Sequence, residues 1–270
     1  MKYLFSQLDK LKDVLEKRPV FLFLDYDGTL VPIAQRPDKA VISGNALKAL
    51  SGLAKNPDCR VAVISGRSLK NIKDMVNLKD ISYAGNHGLE IEGAGIKFKT
   101  PVLPGYKLAL RKLKTILKKK LSVIRGAIVE DKGLTLSVHY RLVEAKKIPA
   151  LKTIFYKTAE RYGVPAGIKI TTGKKVLEIR PDLKQDKGRI VLWLLSKVKT
   201  RAGKKPSLPV YIGDDVTDED AFRALRGRGL TVFVGKPGRS SAEYFVRGTG
   251  EVIDFLKEVL KIKNGAVCRN

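Results

Sequence analysis

Val20-Phe21-Leu22-Phe23-Leu24-Asp25-Tyr26-Asp27-Gly28-Thr29-Leu30 is the stretch on which the reading of this chain turns. Five apolar residues run without alternation, as in a central strand of a parallel sheet that is covered on both faces. Asp25 and Asp27 follow at once, so both belong to the carboxyl end of that strand, where open α/β sheets bind their ligands. Gly28 permits a tight backbone turn and Thr29 adds a hydroxyl. An Asp-Gly turn after a strand is common by itself. An apolar strand that ends in Asp-Xaa-Asp-Gly-Thr-Leu is far more restrictive.

Outward from this stretch, strands and helices alternate. Leu4, Leu8, Leu11 and Leu15 share one face of a helix expected over residues 4–16. A helix over 43–56 leads to a strand at 60–64, a helix over 69–75 to a strand at 81–84. Near the C-terminus the same rhythm returns: helix 188–199, strand 209–212, helix 218–225, strand 230–234, helix 252–261. This spacing predicts a doubly wound α/β sheet, mainly parallel, with right-handed crossovers. The middle of the chain differs. Strand patterns at 127–130, 134–140, 168–171 and 176–179 interleave with helices over 108–121 and 148–162, which predicts a smaller α+β unit inserted into the first. The expected division is residues 1–93 with 183–270 for the larger domain and 94–182 for the insertion, with joints at Gly93-Ala94-Gly95 and Pro181-Asp182.

Each predicted strand end of the larger domain carries a group that phosphoryl transfer needs. Ser65-Gly66-Arg67 offers a hydroxyl and exposed amides near a helix start, a natural phosphate cradle, although Ser-Gly before a helix also fits an ordinary N-cap. Lys187, in Gln185-Asp186-Lys187-Gly188, supplies a point charge. Gly213-Asp214-Asp215-Val216-Thr217-Asp218-Glu219-Asp220 packs acids behind a strand; some suit a helix N-terminus, but a strand ending in Gly-Asp-Asp is better explained as a site for a hard cation such as Mg²⁺. Taken together these parts predict a magnesium-dependent phosphatase. Asp25 attacks phosphorus to give an aspartyl phosphate, and Asp27 serves the leaving alkoxide as acid and the hydrolytic water as base. Lys187 and the Ser65 amide and hydroxyl neutralise the phosphoryl oxygens.

Bulk properties narrow the field further. The chain has 53 Lys and Arg against 27 Asp and Glu, a net charge of +26, which favours anionic ligands. The bases are dispersed. The densest run, residues 106–125, carries Leu110, Leu113, Leu117 and Leu121 at helical spacing and reads as a core-facing stripe with a basic solvent face. No zinc-finger spacing or aromatic-studded RNA motif occurs, so nucleic acid is not the expected partner, and a basic nucleic-acid-binding protein stands only as the alternative from a different class. No apolar run approaches the roughly 20 residues of a membrane span, and residues 1–18 lack the apolar core of a signal peptide. Cys59 and Cys268 form no metal or disulfide pattern. A cytoplasmic monomer that takes a small phosphorylated substrate is expected.

These motifs resemble the haloacid dehalogenase superfamily of phosphatases over nearly the whole chain. The finer features are similar to the trehalose-6-phosphate phosphatase family: Asp25–Leu30, Ser65-Gly66-Arg67, Gly85-Asn86-His87-Gly88-Leu89-Glu90, Lys174–Pro181 and Gly213–Asp220. The resemblance implies a haloacid dehalogenase-like core with an inserted cap that closes over the site, and hydrolysis of trehalose 6-phosphate to trehalose and inorganic phosphate as the last step of trehalose synthesis. It implies Mg²⁺ held by Asp25, the backbone carbonyl of Asp27 and Asp214, with Asp215 and Asp218 nearby, and a phosphoryl group held by Ser65, Gly66 and Lys187. It also implies sugar contacts from Asn86, His87, Glu130, Lys132 and Glu178, with a contribution from Arg67. Glu130-Asp131-Lys132-Gly133 fits a plain hairpin turn equally well. His139 reads as structural, and Ser137, His139 and Arg141 share one strand face that either lines the cap or meets solvent. Other sugar phosphates, sucrose phosphate or mannosylphosphoglycerate, satisfy the same core motifs.

Overall fold

The computed structural model describes residues 1–163, 167–198 and 206–267. Cys268 and the last residue of the expected 188–199 helix lie outside them. In chain order the elements begin β1 (Lys2–Tyr3), α1 (Leu8–Lys17), β2 (Val20–Asp25), α2 (Gly44–Lys55), β3 (Cys59–Ile64), α3 (Leu69–Val76), β4 (Ser82–Gly85), β5 (Glu90–Gly93) and β6 (Ile96–Lys99). They continue with α4 (Pro104–Leu121), β7 (Ile128–Asp131), β8 (Leu136–His139), α5 (Ile148–Gly163), β9 (Ile168–Gly173) and β10 (Val176–Pro181). The chain closes with α6 (Lys187–Ser196), β11 (Leu208–Gly213), α7 (Glu219–Leu225), β12 (Leu230–Val234), β13 (Tyr244–Val246) and α8 (Thr249–Val267).

The chain divides into two compact units, Met1–Phe98 with Gln185–Asn270, and Lys99–Lys184. The larger unit is built on a sheet of order β1-β13-β12-β11-β2-β3-β4-β5-β6. Pairing is parallel from β1 through β4 and turns antiparallel at β5. Every residue of β2 is buried, and its side chains alternate between two cores. Leu22 and Leu24 join one cluster with Val61, Val63, Val210 and Ile212, whereas Phe21 and Phe23 join the other with Ala62, Ile64 and Tyr211. Helices on both faces explain why the strand sequence is continuously apolar. Each of these large side chains contributes on the order of 1.5–3 kcal/mol by leaving water. Side-chain caps start the helices: Ser43 accepts from the Ala46 amide, Ser68 from Asn71 and Asp186 from Arg189.

From β2 the chain winds outward through β3 and β4, then returns to β11 on the other side of β2. Order therefore reverses between β2 and β11, which makes the carboxyl ends of these two strands the crevice of the sheet. The Gly93-Ala94-Gly95 turn, expected as a joint, instead links β5 to β6 within this sheet, and the compact unit continues to Phe98. All three of its residues have positive φ, 124°, 49° and 78°, and a Cβ at Gly93 would sit 2.2 Å from the Ile81 carbonyl.

The smaller unit is an antiparallel sheet of order β7-β8-β10-β9. One face packs Val138, Leu136, Leu177 and Ile179 against Leu113, Leu117, Leu151 and Phe155 of α4 and α5. Register sets Glu130, Ser137, Glu178 and Thr171 in a row across the four strands, on the other face.

Candidate active site

Asp25 ends β2 and Asp214 follows β11, so the crevice receives one carboxylate from each side of the strand-order reversal. Between them the chain makes a turn in which the Tyr26 carbonyl accepts from the amides of Leu30 and Val31. Gly28 has φ of 94°, and a Cβ there would lie 2.1 Å from an oxygen of Asp214. Only glycine lets these two strand ends approach so closely.

Asp218 organises the interior of the site. It is fully buried, and its Oδ1 accepts from Lys187 Nζ at 2.7 Å and from the Tyr211 hydroxyl at 2.6 Å. Its Oδ2 accepts from the amides of Asp214 and Asp215 at 3.1 and 2.9 Å. Lys187, also buried, bonds Asp25 Oδ1 at 2.7 Å. The lysine thus joins the end of β2 to the turn after β11. Burial by itself would press the Lys187 ammonium toward neutrality, but Asp218 and Asp25 outweigh it and hold its pKa above the ordinary lysine value. Burial pushes the Asp25 carboxyl well above the usual range; Lys187 opposes this, while the charges of Asp218 and Asp214 add to it.

Asp25, Asp214 and Asp218 each offer an oxygen within 4.8 Å of the others. Three buried carboxylates against one ammonium leave excess negative charge, and an all-oxygen set suits a hard divalent cation. Asp218 already has four donors on its two oxygens, so Asp25 and Asp214 are the side chains placed to hold such an ion, with Asp218 behind them as the anchor of Lys187. Asp215, expected near the ion, is not part of this cluster: its carboxylate accepts from the Val216 amide and caps the short helix that begins there. The acid-rich run is therefore part candidate cation site and part cap.

Asp27 points elsewhere. Both of its oxygens are bonded to Arg67, Nε and Nη2 each at 2.7 Å, and the guanidinium also reaches Asn71 and lies over the Tyr26 ring. Arg67, expected to help hold substrate, is here the partner of the expected acid/base. The Ser65 amide, expected to face phosphate, is instead committed to the Ala84 carbonyl in the link between β3 and β4. The Ser65 hydroxyl accepts from the Arg67 amide and keeps its own proton to donate. Asn86 and His87 adopt positive φ of 51° and 54°, and their amides bond the carbonyls of Arg67 and Ser65. The two loops are thereby fastened together, with the His87 ring so near Gly66 that a Cβ there would meet it at 2.7 Å. A side chain at Gly66 would therefore have to displace the His87 ring.

In the smaller unit, Glu130, Lys132 and Glu178 share the sheet face away from the helices. Lys132 Nζ bonds Glu178 Oε1 at 3.0 Å, and the buried Ser137 hydroxyl donates to the same oxygen at 3.0 Å. His139 Nε2 lies 2.7 Å from Glu130 Oε2. Ser137 and His139 thus fix the two glutamates, while Arg141 falls beyond β8 and donates to the Lys174 carbonyl. Tyr211 is the residue that sequence reasoning missed: inside an apolar strand nothing distinguishes a tyrosine that packs from one whose hydroxyl serves a carboxylate.

Comparison with known proteins places these features together. The family described as trehalose-phosphatase matches residues 23–248. Trehalose-phosphate phosphatase B of Arabidopsis thaliana is 36% identical over 274 residues, which cover 97% of this chain and 72% of that protein. Among solved structures, a trehalose-6-phosphate phosphatase related protein superposes with a TM-score of 0.74 at 26% identity, over 90% of this chain and 97% of that one. A haloacid dehalogenase-like hydrolase from Bacteroides thetaiotaomicron shares the fold, with a TM-score of 0.63 at 15% identity over 90% of this chain and all of that one.

Proposed function

The chain belongs to the trehalose-phosphatase family of phosphoric monoester hydrolases, and from that premise we propose that it hydrolyses trehalose 6-phosphate to trehalose and inorganic phosphate. The observation that carries the chemistry is the Lys187 clamp, which presents Asp25 beside Asp214 at the crevice of the sheet. Asp25 attacks phosphorus, the ester P–O bond breaks, and the leaving sugar oxygen takes a proton from Asp27. Asp27 then removes a proton from water, which attacks the aspartyl phosphate, releases inorganic phosphate and regenerates Asp25. Lys187 and the Ser65 hydroxyl neutralise the charge on the phosphoryl oxygens. Mg²⁺, held by Asp25, Asp214 and the Asp27 carbonyl, would screen repulsion between the carboxylate and the dianionic ester. Because Arg67 occupies both oxygens of Asp27, the acid step requires that pair to open.

We assign recognition of the sugar to Glu130, Lys132 and Glu178 in the smaller unit and to Asn86 and His87 in the larger. Carboxylates oriented by Ser137 and His139, with an ammonium paired to Glu178, suit a hydroxyl-rich ligand. Phosphate release measured over trehalose 6-phosphate, sucrose phosphate and mannosylphosphoglycerate, with Mg²⁺ and with a chelator, tests the reading. Turnover of the trehalose ester above the others, lost with chelator and in Asp25→Asn, is expected. A strong preference for another ester would overturn the substrate, and an active Asp25→Asn would overturn the nucleophile.

A further inference from the structure

The smaller unit carries a charge that neither phosphoryl transfer nor sugar recognition uses. Residues 99–184 hold 21 Lys and Arg against 6 Asp and Glu, whereas the rest of the chain holds 32 against 21. The fold sorts this charge by layer. Glu130 and Glu178 lie on the sheet face opposite α4 and α5, and Asp131 is paired with Lys114. The helices lie on the opposite face, and the exposed charged side chains of α4 and α5 are nine bases and a single acid, Glu160. Lys107, Arg111 and Lys118 follow one line along α4, and Lys152, Lys157 and Arg161 continue the basic surface on α5.

A helix surface shaped for stability alternates the signs of its charges, because like charges four residues apart oppose the helix. Lys107 with Arg111, Lys114 with Lys118 and Lys157 with Arg161 do the reverse. A bilayer is a poor match, since the apolar stripes of both helices are spent on the core and Leu108 and Tyr156 are the large hydrophobics left exposed on them. A row of phosphates fits. The 18 residues of α4 extend about 27 Å, the length of roughly eight steps of a duplex strand at about 3.4 Å each. We infer that the outer face of α4 and α5 binds nucleic acid through its phosphate backbone, without reading bases.

The test uses the whole chain and a labelled mixed-sequence DNA duplex of about 20 base pairs, followed by fluorescence anisotropy between about 50 and 200 mM salt. Affinity should fall by about 10³-fold over that range, the response of about six neutralised phosphates. The combined variant Lys107→Gln, Arg111→Gln, Lys118→Gln should lower the slope of log affinity against log salt by about two to three and leave phosphatase activity unchanged. A matched set in the larger unit, Lys12→Gln, Lys48→Gln, Lys55→Gln, should leave the slope nearly as it was. An equal loss from the matched set would show general basicity rather than a site and overturn the inference. So would absence of binding at low salt, or capture of anionic vesicles by this face with no binding of the duplex.

Discussion

Asp218 is where the charges of the site meet, and the hydrogen bond it receives from Tyr211 gives the sharpest expectation for a single residue. Burial first, then the neighbouring Asp218, pushes the Tyr211 hydroxyl well above its ordinary pKa, so it stays a donor at any working pH. In Tyr211→Phe, Asp218 loses one of four donors inside a dry site, a loss of about 1–2 kcal/mol. The carboxylate is then freer to move with Lys187, and kcat should fall about tenfold while KM stays near its original value and the position of the pH profile does not move. A rise in KM with unchanged kcat would show that the hydroxyl serves binding instead. Asp214→Asn carries the opposite signs in two measurements. It removes one of three buried like charges, so the metal-free protein should gain a few °C in Tm, and the further rise on adding Mg²⁺ should vanish with activity. A Mg²⁺-dependent rise that persists in Asp214→Asn would exclude this carboxylate as a ligand. Much of this was readable beforehand: Asp25 and Asp214 are acids set where apolar strands end, and Lys187 opens α6. Asp27 and Arg67 were legible as site residues but not as a pair, since a contact between residues 40 apart depends on how two loops fold back, which no local pattern encodes.

At the scale of elements, legibility follows length and burial. β2, β3, β11 and β12 are apolar runs of five or six residues in the middle of the sheet and stand out in the sequence. β1 and β13 have two and three residues and lie at one margin, too short for any period to register. β5 and β6 do alternate, as Glu90-Ile91-Glu92 and Ile96-Lys97-Phe98 show, but the Gly-Ala-Gly turn between them reads equally well as a joint. Packing of α6 on α7 yields a prediction in which two effects compete. Ala is the better helix former than Gly by about 1 kcal/mol, yet a Cβ at Gly188 would stand 2.4 Å from the Asp220 carbonyl. Backbone cannot yield as a side chain can, so Gly188→Ala should destabilise by about 1–3 kcal/mol despite the propensity gain. Gly105 in α4 has nothing within 4 Å of its would-be Cβ, and there Gly105→Ala should stabilise by about 0.5–1 kcal/mol. Denaturant midpoints of the pair decide the matter: stabilisation in both would mean that helix propensity alone governs these positions.

Across the whole molecule the dominant fact is a net charge of +26. A dianionic sugar phosphate approaching such a protein is drawn in by the summed field, which can raise association rates by about tenfold or more when salt is low. Screening limits the reach to about 10 Å at 0.1 M ionic strength, so the effect must collapse over an accessible range of salt. The step it acts on is encounter, not chemistry: once the ester is bound, Lys187 lies in the dry interior against Asp25 and Asp218, where ions in solution screen little. Therefore kcat/KM for trehalose 6-phosphate should fall several-fold between about 10 and 300 mM salt, and kcat at saturating substrate should change far less. An uncharged osmolyte at matched osmolarity separates screening from bulk solvent effects and should reproduce neither trend. If kcat declined in step with kcat/KM, salt would be acting on the catalytic groups themselves, and the field of the molecule would have no part in capturing its substrate.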